Sequence, residues 1–298
     1  MARSRKQKKI KFILTLICLA ILAFIWFVIK PMQEVEYEVP NGTAEFHFID
    51  VGQGDAILIK EGNTNVLVDT GDKDAKDDLL DYLDNHGVEV IDYFVITHFD
   101  ADHFANAVDV LEKYDVKNLL IPDQVKTTKM YETFVAKVEE QSDAGLIEVL
   151  SANDMVGQCI LSDPLEIKVL APLKDDYDDS NDYSVVLMAR YGNKRVLLTG
   201  DAEKDAEGDL VDRYSSSDLD CDVYKLGHHG SRTSSSQELL DEATPSIVVV
   251  SCGVDNKYGH PHSETWERVK NKERYRTDEQ GSVVVSIAND EISVKTEK

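Results

Sequence analysis

From Ala44 onward the chain is built of short apolar runs, several of which end in acidic residues or histidines, and this repeated pairing constrains the fold more than any other feature. AEFHFIDV, DAILIK and NVLVDTG read as three strands joined by the glycine turns VGQG and EGN. DAKDDLLDYLDNHG has apolar residues at helical spacing and stops on glycine, and the strand IDYFVIT follows it. Helix FANAVDVLEKY, strand VKNLLIP and helix TKMYETFVAKVEEQ come next. In the second half, IEVLS, CILS and LEIKVLA read as strands, KDDYDDSND as a loop, and YSVVLMARYG with KRVLLTGD as a hairpin. Helices AEKDAEGDLVDRY, SSQELLDEA and SETWERVKN then alternate with strands DVYKLG, SIVVVS, SVVVSI and EISVKT. Grouped strands with helices between them predict one domain over 44–298, with two sheets packed face to face and helices outside.

The polar residues after the strands carry the chemistry. They are DVGQGD with Asp55, Asp69 of LVDTG, the segment THFDADHF, Asp201 of LLTGD, GHHGS, and YGHPH with His260 and His262. In THFDADHF, His98 with Asp100, and Asp102 with His103, can face two adjacent positions, and imidazole with carboxylate suits zinc, manganese or iron. A helix cap would need one such residue rather than four. His47, in a strand, and His86, at a helix end, are read as structural. His262 is read either as a site residue or as the start of the next helix.

THFDADH resembles the HxHxDH motif of the metallo-β-lactamase superfamily, with aspartate in place of the second histidine. DVGQGDAILI, LLTGD, GHHGS and YGHPH, in that order, resemble the hydrolase domain of the ComEC family of DNA-uptake channels. The resemblance implies an α+β/α/β chain folded as a four-layer αβ/βα sandwich, with one or two divalent ions, Zn²⁺ or Mn²⁺, at one edge and no organic cofactor. It implies His98 and Asp100 at one metal, Asp102 and His103 at the other, Asp201 between them, and His229 as the last histidine ligand. His228 is then free to contact substrate, although the roles within this pair can be exchanged. Asp69 would brace the motif loop, and Asp55 would line the mouth of the site.

Departures from the family pattern bear on the metals. No histidine lies between His103 and His228, and only Asn181 and Ser184 are available in the region where fully bimetallic members carry one. Two carboxylates and one imidazole make a harder site, favouring manganese or magnesium, with one ion tight and a second weak. FANA replaces the two glycines that often follow the motif. The expected reaction is hydrolysis of a phosphodiester, DNA or another, by metal-activated water. Asp102 and Asp201 would serve the nucleophile and His228 the leaving oxygen, while Lys225, Ser231 and Arg232 would meet the phosphate. Other readings are a phosphocholine-type esterase acting on wall polymers, or a non-catalytic surface protein with a structural metal.

Phe12 to Ile29 is an uncharged apolar run of 18 residues, about the minimum for a membrane-spanning helix. Basic residues precede it and EVEYE follows it, so the positive-inside rule places the N-terminus in the cytoplasm and the rest outside. The expected organisation is a basic tail over 1–11, a single-pass anchor in the cell membrane over 12–30, a linker over 31–43 and the extracytoplasmic hydrolase domain. Residues 31–298 contain 25 basic and 56 acidic residues, a balance of −31, so a polyanionic substrate needs a local basic patch or a metal. Cys159, Cys221 and Cys252 are widely spaced and expected to be packed free thiols.

Overall fold

Period-two burial along the strands builds the molecule from the middle outward. In the computed structural model, which describes residues 37–298, the first half contains β1 (Thr43–Phe48), β2 (Ile57–Glu61), β3 (Thr64–Val68), β4 (Val90–Val95), β5 (Asp115–Ile121) and β6 (Glu148–Ser151). The second half contains β7 (Cys159–Leu161), β8 (Leu165–Ala171), β9 (Val186–Tyr191), β10 (Lys194–Leu198), β11 (Val223–Lys225), β12 (Ile247–Val250), β13 (Glu273–Arg276), β14 (Val283–Ala288) and β15 (Glu291–Thr296). They form an eight-stranded sheet of order β15-β14-β1-β2-β3-β4-β5-β6 and a seven-stranded sheet of order β13-β12-β11-β10-β9-β8-β7.

Ile57 and Ile59 of β2 point between the sheets, where Phe46, Phe48, Ile167, Val169, Leu187 and Leu198 join them in one core. Leu58 points the other way, into a second core with Leu67, Leu79 and Leu83 beneath the helix Lys76–Asn85. A third core packs Leu197 and Tyr224 of the smaller sheet against Leu210 and Leu239 of its helices. Strands buried on both faces give the expected four layers. Glu38–Lys298 form one compact unit.

Three details differ from expectation. β13, ERYR, pairs in parallel with β12 but has no apolar alternation, because a short edge strand needs to bury little. The helix expected over 104–114 is two, Ala101–Phe104 and Ala107–Lys113, and the break lets Asn106 Nδ2 donate to the carbonyls of Thr70 and Asp72 at 2.8 Å. Cys159 is exposed, whereas Cys221 and Cys252 are buried; all three are free thiols. The apolar segment 12–29 lies outside the described residues, and no helix among the described residues is long and apolar enough to cross a membrane.

Candidate metal centre

Parallel pairing carries the polar clusters to one edge. β3 and β4 run side by side with Val68 opposite Val95, so Asp69 arrives beside the loop that begins at Thr97. In the other sheet Leu198 and Val249 flank Lys225, which brings Asp201, the GHHG turn and Ser251 to the same end. A hydrogen bond from Val185 N to Thr97 O, 2.9 Å, ties the two sheets together there. Gly54 lets the DVGQGD loop fit under the motif: its φ is +137°, and a Cβ would lie 2.3 Å from the Asp102 carbonyl.

The chain fixes each imidazole by its Nδ1. His103 donates to Asp69 Oδ2 at 2.7 Å and His229 to the Ser251 carbonyl at 3.0 Å. Thr97 Oγ1 donates to Asp69 Oδ2 at 2.6 Å, leaving its oxygen to accept from His98 Nδ1 at 3.1 Å. With Nδ1 occupied in all three, the Nε2 atoms are the ones available as ligands, and none of them makes a well-formed hydrogen bond among the described residues although all are buried. They converge. His98, His103 and Asp201 offer ligand atoms within 4.8 Å of one another, as do Asp102, His103 and His229. Asp201 Oδ2 stands 3.2 Å from His103 Nε2 and 3.4 Å from His229 Nε2.

Charge points the same way. Asp55, Asp69, Asp102 and Asp201 share this volume, and Lys225 is the lysine buried with them. Burying that much negative charge without a counter-ion is costly. Burial disfavours the imidazolium of His103, yet Asp201 and Asp69 raise its pKa well above the usual value. Asp201, with Asp102 and Asp55, does the same for buried His229. His98 goes the other way, lowered to about 3 by burial and by its neighbour His103, and would be a neutral ligand. A divalent cation would replace the two protons held between imidazole and carboxylate, so the donor set fits a metal.

The remaining predicted residues fall into three places. Asp69 lies beneath the motif as expected: Oδ1 accepts from Thr97 N at 2.8 Å while Oδ2 holds Thr97 and His103. Asp55 is not at the mouth but on the floor, 1% exposed, paired with Lys225. Lys225 is therefore not a substrate contact; it is fully buried, and its partner Asp55, in spite of burial, is held at about 2 chiefly by that ammonium. Ser184 Oγ accepts from Asp201 N at 3.0 Å and lies 3.5 Å from His98 Nδ1, bracing two candidate ligands rather than supplying a third.

Asp100 lies within electrostatic reach of His98, but it is not among the groups whose ligand atoms converge. It precedes the helix Ala101–Phe104 in extended conformation, and its Oδ1 accepts from Lys126 Nζ at 2.8 Å and Ser180 Oγ at 2.9 Å. At the rim, His228 and His229 both have left-handed backbones, φ 47° and 54°, and this turn sends His229 inward and leaves His228 partly exposed. His228 Nε2 is 3.7 Å from Asp201 Oδ2. His260 does cover the site, stacked 6.1 Å from the His229 ring, with its pKa lowered to about 4 by burial and by His229 and His228. His262 stands at the N-cap position of the helix Ser263–Arg268 without a capping hydrogen bond from its side chain, whose Nδ1 accepts from Arg232 N. Ser231 is buried against Thr233, and Arg232 is exposed, 3.3 Å from Glu264, so neither reaches the metal cluster.

Glu203 carries no distinguishing signal in the sequence. Its Oε1 accepts from His228 Nδ1 at 2.8 Å, Thr233 Oγ1 at 2.9 Å and Asn181 Nδ2 at 3.2 Å, which ties three rim segments together. In the sequence it is one acid among several at a helix start, where acids are common for reasons of the helix dipole.

Residues 49–254 match the sequence profile of the metallo-beta-lactamase superfamily. The chain belongs to that superfamily. It is 28% identical to ComE operon protein 3 of Bacillus subtilis over 267 residues, 83% of this chain and 33% of that one. It is also 28% identical to recombination protein 2 of Haemophilus influenzae, over 95% of this chain and 32% of that protein, and 30% identical to competence protein ComA of Neisseria gonorrhoeae, over 78% and 30%. This chain thus spans about a third of the length of these relatives. Among solved structures, the metallo-beta-lactamase fold protein YhfI of Bacillus subtilis superposes with a TM-score of 0.50 at 12% identity, covering 85% of this chain and all of that one, a likeness of fold alone.

Proposed function

We propose that this chain is a membrane-anchored, extracytoplasmic phosphodiesterase that acts on DNA or another phosphodiester. The observation that carries the reading is the convergence of buried imidazoles and carboxylates: His98 and His103 meet Asp201, and His103 and His229 meet Asp102, with the Nε2 atoms of His103 and His229 facing the acids. The names of the competence and recombination relatives support a nucleic-acid substrate, and the apolar run 12–29 with its flanking charges supports the anchor.

Asp102, His103, His229 and Asp201 would hold a divalent ion, with His98 beside Asp201 for a second. When bound, the metal supplies Lewis acidity that polarises water and phosphoryl oxygens. The protein's part is placement. Asp69, Thr97 and Ser251 keep the imidazoles turned Nε2-inward, and Ser184 holds the Asp201 backbone. Glu203 fixes the His228 ring by its Nδ1 and aims Nε2 into the cleft, where it can hand a proton to the leaving oxygen. His260 packs against both rings, 6.1 Å from His229 and 5.5 Å from His228, and helps to bury them.

The test is hydrolysis of bis-p-nitrophenyl phosphate and single-stranded DNA with manganese or zinc, before and after chelation. Turnover should require metal and vanish in Asp102→Ala. Full activity in that variant would remove the mechanism. No turnover with any metal, together with a large chelation-induced fall in Tm, would make the metal structural.

A further inference from the structure

A chain with 56 acidic and 32 basic residues is a poor partner for a polyanion, whose affinity comes mostly from Lys and Arg on phosphate. One concavity beside the metal centre runs against that balance. It has a volume of about 400 Å³, and Lys204, Arg232 and Arg268 line it with Thr233, Ser236 and Gln237. The three cations come from different stretches of chain. Lys204 opens the helix Lys204–Arg213, Arg232 follows the GHHG turn, and Arg268 closes the helix Ser263–Arg268. Folding has gathered them, and the volume suits one small ligand or one unit of a larger one.

Of the competing acids, Glu203 is engaged and Glu264 weakly held, and Glu238 is exposed at the cavity's edge. Glu203 and Glu238 also line the cavity; Glu203 already accepts from His228, Thr233 and Asn181. Arg232 faces Glu264, with side chains 57% and 50% exposed, and such a surface pair is worth only ~0–1 kcal/mol. A phosphate, which offers several acceptor oxygens to a guanidinium, can displace it. Arg268 is anchored by donating to the carbonyls of Ser234 and Ser235 at 3.1 Å, which holds a positive charge at the wall.

Between this cavity and Asp201 stand Glu203 and the His228 ring, with 2.8 Å from Glu203 to one ring nitrogen and 3.7 Å from the other to Asp201. The cavity is thus one carboxylate and one imidazole ring away from Asp201. We infer that the cavity is a subsite for a second phosphate of the substrate, next along the strand from the one hydrolysed. The inference rests on the phosphodiesterase reading and narrows it from phosphodiesters in general to oligonucleotides.

The full chain, purified in detergent with its metal, tests this through the double variant Lys204→Gln/Arg232→Gln. Both side chains are exposed, so the fold should survive, and Lys295→Gln on β15 is the control. Two substrates are compared, bis-p-nitrophenyl phosphate with one phosphate and a short single-stranded oligothymidylate with several. The ratio of kcat/KM for the oligonucleotide to that for the small ester should fall about tenfold in the double variant, through KM, and stay put in the control.

A second arm measures anisotropy of fluorescent oligothymidylate in chelator at several salt concentrations. Each phosphate neutralised on a single strand contributes ~0.7 to the slope of log K against log salt, so losing the one phosphate held in this cavity should flatten it by about 0.7. An unchanged ratio with an unchanged slope overturns the subsite. An equal loss on both substrates with an unchanged slope also overturns it, because the side chains would then be acting on the metal centre. If the wild type hydrolyses neither substrate, the phosphodiesterase reading fails, while the chelated binding arm still decides whether the cavity holds a strand.

Discussion

Replacing Asp69 by asparagine should weaken metal binding about 10- to 100-fold without touching a candidate ligand. The carboxylate is fully buried and accepts three hydrogen bonds, Thr97 N on Oδ1 and both Thr97 Oγ1 and His103 Nδ1 on Oδ2. An asparagine there has one acceptable orientation. Its amide nitrogen cannot sit at the Oδ1 position, because it would face the Thr97 N–H donor to donor. It must take the Oδ2 position and donate to His103 Nδ1. The imidazole then carries its proton on Nε2, the atom that points at Asp201 and would otherwise bind the ion.

Loss of such a partner behind a ligating histidine costs 10- to 100-fold in affinity, roughly 1.4–2.8 kcal/mol. The assay is competition with a chromophoric chelator for manganese and zinc, with Tm measured on metal-free and loaded protein. The metal-free variant should remain folded, since shape is retained, and the stabilisation gained on loading should shrink. An Asp69→Asn protein that binds both metals as tightly as wild type would refute the claim that Asp69 sets the His103 tautomer.

Removing the metal should itself lower Tm: at a free concentration 100 times Kd, binding contributes ~2.7 kcal/mol, or roughly 5–11 °C for a domain of this size. A thermogram that chelation leaves unmoved would count against any metal in the folded state. Lys225→Met should destabilise by about 3–5 kcal/mol, because Asp55 is left buried and unpaired; adding Asp55→Asn should recover most of that in denaturant titrations. If the double variant is no more stable than the single one, the pair is not the reason Lys225 is buried. Glu203→Gln should lower kcat on bis-p-nitrophenyl phosphate about tenfold with little change in KM, by loosening His228 rather than substrate. Unchanged kcat would remove Glu203 from the positioning of that ring.

The layers and the candidate metal ligands were legible in the linear chain. Apolar runs at period two and helices at their own period are local properties, so the two sheets, their outer helices and the acids and imidazoles at strand ends could be read residue by residue. The strand ERYR was hidden because an edge position needs no apolar signature. Where each polar group points depends on partners far away in the chain, and those are supplied only by folding. Asp100 and Asp102 are two residues apart in one motif, yet one turns to Lys126 and Ser180 while the other meets His229. Lys225 looked like a phosphate contact until Asp55, from the opposite sheet's loop, claimed it in the interior. Glu203 became legible only when folding set His228, Thr233 and Asn181 around it, because a side chain's charge is written in the sequence but its hydrogen-bond partners are fixed by packing.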